Sequence, residues 1–329
     1  MKKARLRLCA KVLVSAACLA AVGHWVDPAV IAAKLRGIAW PPFLAAVAIH
    51  VVLQWVNALK VHLLFPPPRP ALKTMVAVNF ITVFFGTFIP GGIGGELARW
   101  AYLTRESGSK DRTLATILLD RITGLWTQVM LVLAAWIWMD RHALALWAAI
   151  PIALGILAGS LWAGIRGYRG CIRAAQKLGD WYARRTGRSA PVPESVIEAM
   201  EGLLASRRRF AKVAALALAF HGLVILDFLL LNRSIGGGVD WATAVLFLFG
   251  YTVILLAPVS VGNLGFSEGT LGVLYHLAGS DSGTGVLISL LLRAMAVPSA
   301  LLGWILFLVR KRGSGSGVQT PEARPRAAA

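Results

Sequence analysis

The chain has 329 residues, 57% of them hydrophobic, a formal net charge of +19 and a mean hydropathy of +0.68. That balance is too apolar for an ordinary soluble domain, and Cys9, Cys18 and Cys171 show neither disulfide-framework nor metal-ligand spacing. The Lys and Arg residues cluster at Met1–Lys11, Arg99–Arg112, Arg166–Lys212 and Arg310–Arg312, between apolar runs, which points to cytoplasmic loops facing anionic lipid rather than to nucleic acid.

A bilayer crossing needs about 20 apolar residues. The first such run is Leu8–Val26, read as a retained helix because Lys11 interrupts it and no small-x-small cleavage site follows. Pro42–Leu64 returns to the cytoplasm. It carries His50, Gln54 and Asn57 on one face, a stripe suited either to lining a cavity or to interhelical hydrogen bonding. After the link FPPPRPALK, the run Thr74–Ile89, with Asn79 and Thr82 as candidate lining residues, stops at Pro90, Gly91, Gly92, Ile93, Gly94 and Gly95. A short segment Glu96–Leu103 leads into the basic stretch Arg99–Arg112. Both ends of this unit then lie on the cytoplasmic side, and a re-entrant hairpin satisfies that constraint.

Thr113–Met139, with Gln128 as a further candidate, goes out and Ala143–Ile165 comes back. The basic segment 166–209 stays inside, with two weakly amphipathic surface helices striped by Cys171, Ala175, Leu178 and Tyr182 and by Val196, Met200 and Leu203. Phe210–Leu231 goes out, its His221 and Asp227 read as packing residues. Trp241–Ala257 enters from the outer face, meets Pro258, Gly262, Asn263 and Gly265, and Phe266–Ala278 returns. Thr284–Val309 is the last span, and the Gly/Ser tail 313–329 is expected to be disordered. The expected fold is all-α: a polytopic membrane protein of six full transmembrane helices plus two oppositely oriented re-entrant hairpins forming an inverted repeat. Residues 1–312 make one membrane domain, with repeat-like halves at about 41–139 and 210–310, in a bacterial-type inner membrane with both termini cytoplasmic.

The two breaks resemble each other in sequence. Glu96 stands 25 residues before Arg121, and Glu268 stands 25 before Arg293. Each Arg closes a leucine-rich run, and Asp120 lies where it can pair with Arg99 or Arg121. Irregular backbone at membrane depth is tolerated only when buried in protein or lining a wet cavity. Half-helices starting near Gly95 and Phe266 would aim positive dipole ends into that space. With Arg121 and Arg293 added, the site suits a phosphate, while Glu96 and Glu268 balance the arginines when it is empty or take protons during a cycle.

The stretch Phe85-Gly86-Thr87-Phe88-Ile89-Pro90-Gly91-Gly92-Ile93-Gly94-Gly95-Glu96, with Leu119-Asp120-Arg121-Ile122-Thr123-Gly124-Leu125 and the second signature Pro258–Glu268, resembles the lysylphosphatidylglycerol synthase transmembrane family, the flippase-like membrane proteins. The resemblance runs from about Leu8 to Arg310. In the fused synthases it implies a lipid-flipping membrane domain joined to a soluble domain that transfers an aminoacyl group from tRNA. Only a short tail follows Arg312 here, so aminoacyl transfer is not expected.

The resulting expectation is a lipid translocase for an anionic or aminoacylated phospholipid or related lipid. It needs no cofactor, and no P-loop accompanies the glycines. Its partners are membrane lipids, with a homodimer or a lipid-synthesising enzyme as possible protein partners. A lipid-modifying enzyme is the first rival, set against the lack of a metal cluster, nucleophile elbow or His-centred acid/base set. A membrane scaffold docking through residues 166–209 is the second.

Overall fold

The computed structural model describes residues 28–88, 94–139, 206–256 and 263–314, with isolated positions at 20, 23, 24, 184, 198, 201 and 202. The expected spans Leu8–Val26 and Ala143–Ile165 lie outside the described residues, as do the surface helices before Ser206 and nearly all of the tail. So do Pro90, Gly91, Gly92, Pro258 and Gly262 of the two breaks.

Among the described residues there are nine helices and no strand: α1 (Pro28–Arg36), α2 (Trp40–Leu64), α3 (Leu72–Phe88), α4 (Gly94–Ser107), α5 (Lys110–Met139), α6 (Arg207–Ser234), α7 (Trp241–Leu256), α8 (Phe266–Leu277) and α9 (Ser282–Ser314). Four are long and apolar enough to cross a membrane: α2, α5, α6 and Ser282–Arg310 of α9. They contain the four expected spans that fall on described residues, with ends a few residues longer. The physical reasons are local. Prolines are tolerated in the first turn of α2, and Ser206 caps α6 by accepting from the Arg209 amide. By contrast α3 has 17 residues, α7 has 16, α4 has 14 and α8 has 12, all short of a full crossing. Exposed Leu44, Val52, Trp55 and Leu59 on α2, and Leu301, Leu302, Ile305 and Leu308 on α9, give the long helices an apolar outer face suited to lipid.

Helices α2 and α6 pack antiparallel along their length. The Ala39 amide donates to the Ser234 carbonyl at 2.7 Å at one end. At the other, the Arg209 guanidinium donates to the carbonyls of Leu63, Leu64 and Phe65 at 2.7, 3.0 and 3.0 Å. That contact satisfies carbonyls left open at the C-terminus of α2 and sets a cation against its dipole. Helices α5 and α7 are also antiparallel: Trp138 meets Trp241 with ring centroids 5.6 Å apart, and Gln128 donates to Thr252 at 3.0 Å.

The packing map is unchanged when α2, α3, α4 and α5 are exchanged for α6, α7, α8 and α9. Thus α3 packs on α9 as α7 packs on α5, and α4 on α5 as α8 on α9. The largest core cluster, with Phe228, Leu231, Leu271, Tyr275, Leu287 and Met295, lies among α2, α6, α7, α8 and α9. A second, with Ala58, Val61, Phe65, Met75 and Phe80, joins α2 to α3 and α4.

Inside the larger core, the Tyr275 hydroxyl donates to Asn232 Oδ1, and Asn232 Nδ2 donates to the Phe228 carbonyl at 2.8 Å. Both residues are at most 1% exposed. Tyr275→Phe leaves that amide oxygen unsatisfied, and the expected loss is about 1 kcal/mol, the scale of interhelical hydrogen bonds in membranes. Thermal unfolding in detergent checks it, and an unchanged midpoint would show the bond to be energetically silent.

Candidate functional site

The glutamate that follows each break falls at the start of a short helix. Glu96 is the third residue of α4 and Glu268 the third of α8; Arg121 and Arg293 are each the twelfth residue of the long helix that follows. Glu96 pairs with Arg121, and Glu268 Oε1 accepts from Arg293 Nε at 2.7 Å. Each pair therefore clasps a short helix to the next long one, in equivalent places of the two halves. An acidic residue in the first turn also complements the positive end of its own helix.

The two clasps differ in how far they are held. Glu268 is 1% exposed. Its Oε2 accepts from the Gly265 amide at 2.7 Å and lies 3.0 Å from Ser267 Oγ, and Arg293 also donates to Ser267 Oγ at 2.6 Å. Gly265 precedes the helix at φ +79°, a left-handed conformation that favours glycine, and Asn263 sits at φ 54° with 7% exposure. In the first clasp the side chains of Glu96 and Arg121 are 37% and 51% exposed. That pair is the more accessible of the two. Gly95 packs tightly on α3: a Cβ there would fall 2.8 Å from the Thr82 carbonyl and 3.1 Å from Gly86 Cα. Glycine is what lets the returning helix lie against α3.

Arg99 and Asp120 form a third, separate contact. Arg99 donates to Asp120 Oδ2 at 3.0 Å. Lys60 Nζ, from α2, lies 3.0 Å from Asp120 Oδ1 and 5.0 Å from the centroid of the Phe220 ring. All three charged residues are under 9% exposed. Lys60 was not among the sequence candidates. Its signal was available, since it continues the His50, Gln54 and Asn57 stripe by one more helical step. That stripe bonds between helices: Asn57 donates to Asn79 at 3.1 Å, Asn79 donates to Gln54 Oε1 at 3.0 Å, and His50 meets Asp227 at 3.3 Å. Gln128, expected near the site, ties α5 to α7 through Thr252.

Pro90, Gly91, Gly92, Pro258 and Gly262 lie outside the described residues, while Gly94, Gly95, Asn263 and Gly265 flank the clasps. Among the described residues no three His, Cys, Asp or Glu side chains gather as a metal-binding set. The arrangement offers two Arg side chains beside helix N-termini, each held by a carboxylate, chemistry suited to holding and releasing an anion.

Among curated proteins and among solved structures, no match to the chain is found. The profile of the family described as "Lysylphosphatidylglycerol synthase TM region" matches residues 8–303. The chain belongs to the lysylphosphatidylglycerol synthase transmembrane family.

Proposed function

We propose that this protein is a lipid translocase that moves an anionic or aminoacylated phospholipid, or a related lipid, across the cytoplasmic membrane without covalent chemistry. Membership of a family of lipid-handling membrane domains supports the reading. The observation that carries it is the repeated Glu–Arg clasp, at the same position in two halves whose packing interchanges. In this reading α3–α4 and α7–α8 are re-entrant hairpins entering from opposite faces, and the halves are an inverted repeat. Their N-terminal dipoles and the two arginines form a cationic midplane site. An arriving phosphate displaces Glu96 from Arg121 first, because that pair is the more exposed one. Arg293, held by Glu268 and Ser267, is the fixed half of the site. Acyl chains stay in lipid along the apolar outer faces of α2 and α9.

Headgroup flipping in proteoliposomes tests this, with fluorescent anionic lipids and a membrane-impermeant quencher. Wild type is expected to accelerate flipping, and Arg121→Ala, Arg293→Ala and Glu268→Gln to lower the rate by about tenfold or more. One charge-assisted hydrogen bond contributes about 1.5–3 kcal/mol, and each 1.4 kcal/mol of barrier is tenfold in rate. Folded protein that flips no lipid, across a panel of anionic and polyprenyl-linked lipids, would replace translocation with the scaffold role.

A further inference from the structure

Among the ionisable pairs that the translocase reading does not use, His50 with Asp227 lies deepest within a spanning helix pair. His50 Nδ1 lies 3.3 Å from Asp227 Oδ2, joining α2 to α6. His50 is the eleventh residue of a 25-residue helix, about 15 Å from its start at 1.5 Å per residue. That is half the roughly 30 Å thickness of a bilayer core. The Asp227 side chain is 5% exposed and the His50 side chain 19%. Asp227 Oδ1 is buried and has no hydrogen-bond partner.

These observations make the pair a poor structural ion pair and a good proton site. A carboxylate with one buried, unpartnered oxygen carries a charge that its surroundings do not fully compensate. Neutral imidazole with ionised carboxylate leaves a net charge of −1 between the helices. One added proton makes the pair neutral overall, whether it resides on the imidazole or on the carboxylate. Of the charged groups on the packed helices, Lys60 and Arg99 are engaged with Asp120, Arg121 with Glu96, Arg293 with Glu268 and Arg310 with Glu106. His221, on α6, meets the Ala217 carbonyl, Tyr275 donates to Asn232, and Tyr251 on α7 faces Arg293 and Glu268.

We propose that His50 and Asp227 form an intramembrane proton-binding site at the α2–α6 interface, whose occupancy couples lipid movement to a proton gradient. The coupling rests on the translocase reading; the proton site does not. A proton from bulk water binds the more accessible imidazole and passes to Asp227, whose unpartnered buried oxygen makes the neutral carboxyl the favoured form. Release to the opposite compartment restores the starting charge. Helices α2 and α6 are the equivalent members of the two halves, so a charge change between them alters the contact about which the halves would move. Glu268 is less suited to this task, because both of its oxygens are already bonded.

Infrared difference spectroscopy on purified protein reads the site directly. A carbonyl band from a protonated carboxyl should titrate with pH, shift in His50→Gln and vanish in Asp227→Asn. In proteoliposomes, a one-unit pH gradient should shift the wild-type lipid distribution between leaflets by up to about tenfold, the limit for one coupled proton. Asp227→Asn should still flip lipid yet ignore the gradient, and His50→Gln carries the same test if Asp227→Asn does not fold. A gradient response retained in these variants overturns the coupling. The absence of a titrating band that depends on Asp227 overturns the site. Wild type that moves no lipid removes the translocase reading and the coupling together, while the band still decides the proton site.

Discussion

Asp120→Ala is expected to destabilise the protein by about 3–5 kcal/mol, the cost of breaking a buried ion pair by removing one partner. The carboxylate is the shared anion of two cations, with Lys60 and Arg99 each 3.0 Å away. Lys60 is 3% exposed and Arg99 5%, so neither can turn to water once Asp120 is gone. Two like charges would then face each other across a space that held their counter-ion. Removing Lys60 is the opposite case. Lys60→Met keeps the Arg99–Asp120 bond and a side chain of similar length; it loses the contacts with Asp120 Oδ1 and the Phe220 ring, while Arg99 still compensates the Asp120 charge. The expected cost is about 1 kcal/mol. The double variant should be less damaged than Asp120→Ala alone, because one of the two stranded cations is absent. Unfolding midpoints in detergent check the ordering, and equal losses for Asp120→Ala and Lys60→Met would refute the shared-anion account.

Gly303→Ala is expected to cost about 3 kcal/mol, the upper end of overpacking penalties. A Cβ at Gly303 would stand 2.1 Å from the Phe80 carbonyl oxygen and 2.6 Å from its carbon. The obstacle is backbone, which no rotamer change removes, so α9 and α3 must separate by about 1 Å to reach ordinary contact. Separation also loosens the Phe84 and Phe85 contacts with Phe307. Gly285 makes the same kind of approach on α9, with a Cβ 2.3 Å from the Leu271 carbonyl oxygen of α8. Gly124 supplies the control. It lies within α5 with nothing inside 4 Å of its Cβ, and alanine there should be neutral or stabilising by up to about 1 kcal/mol. A Gly303→Ala midpoint equal to that of Gly124→Ala would mean that the α3–α9 approach is not tight in the membrane.

Among the described residues, the equivalence of the halves covers the helix packing and the clasps but not the buried charged cluster. Arg99, Asp120 and Lys60 fall at positions equivalent to Leu271, Leu292 and Asn232, by the same offset that relates Glu96 to Glu268. The first half holds a buried cluster with one excess cation. The second holds apolar packing and the Asn232–Tyr275 bond. The more exposed clasp, Glu96–Arg121, adjoins the charged cluster, since Arg121 follows Asp120 directly in α5.

The amino-acid sequence by itself determined the four described spans and the 25-residue separation within each Glu–Arg pair. Those features are local. Apolar length is a sum along the chain, and a repeated spacing is visible without coordinates. The partner of Asp120 was open between Arg99 and Arg121, and only the tertiary structure decided it. Neighbouring residues on a helix point about 100° apart, so Asp120 turns toward Arg99 and Lys60 while Arg121 turns toward Glu96. The same holds for His50 with Asp227, 177 residues away, and for Gly303 against Phe80. These contacts depend on how each helix is rotated about its own axis. That rotation is set by packing against several other helices at once, which no single stretch of sequence encodes.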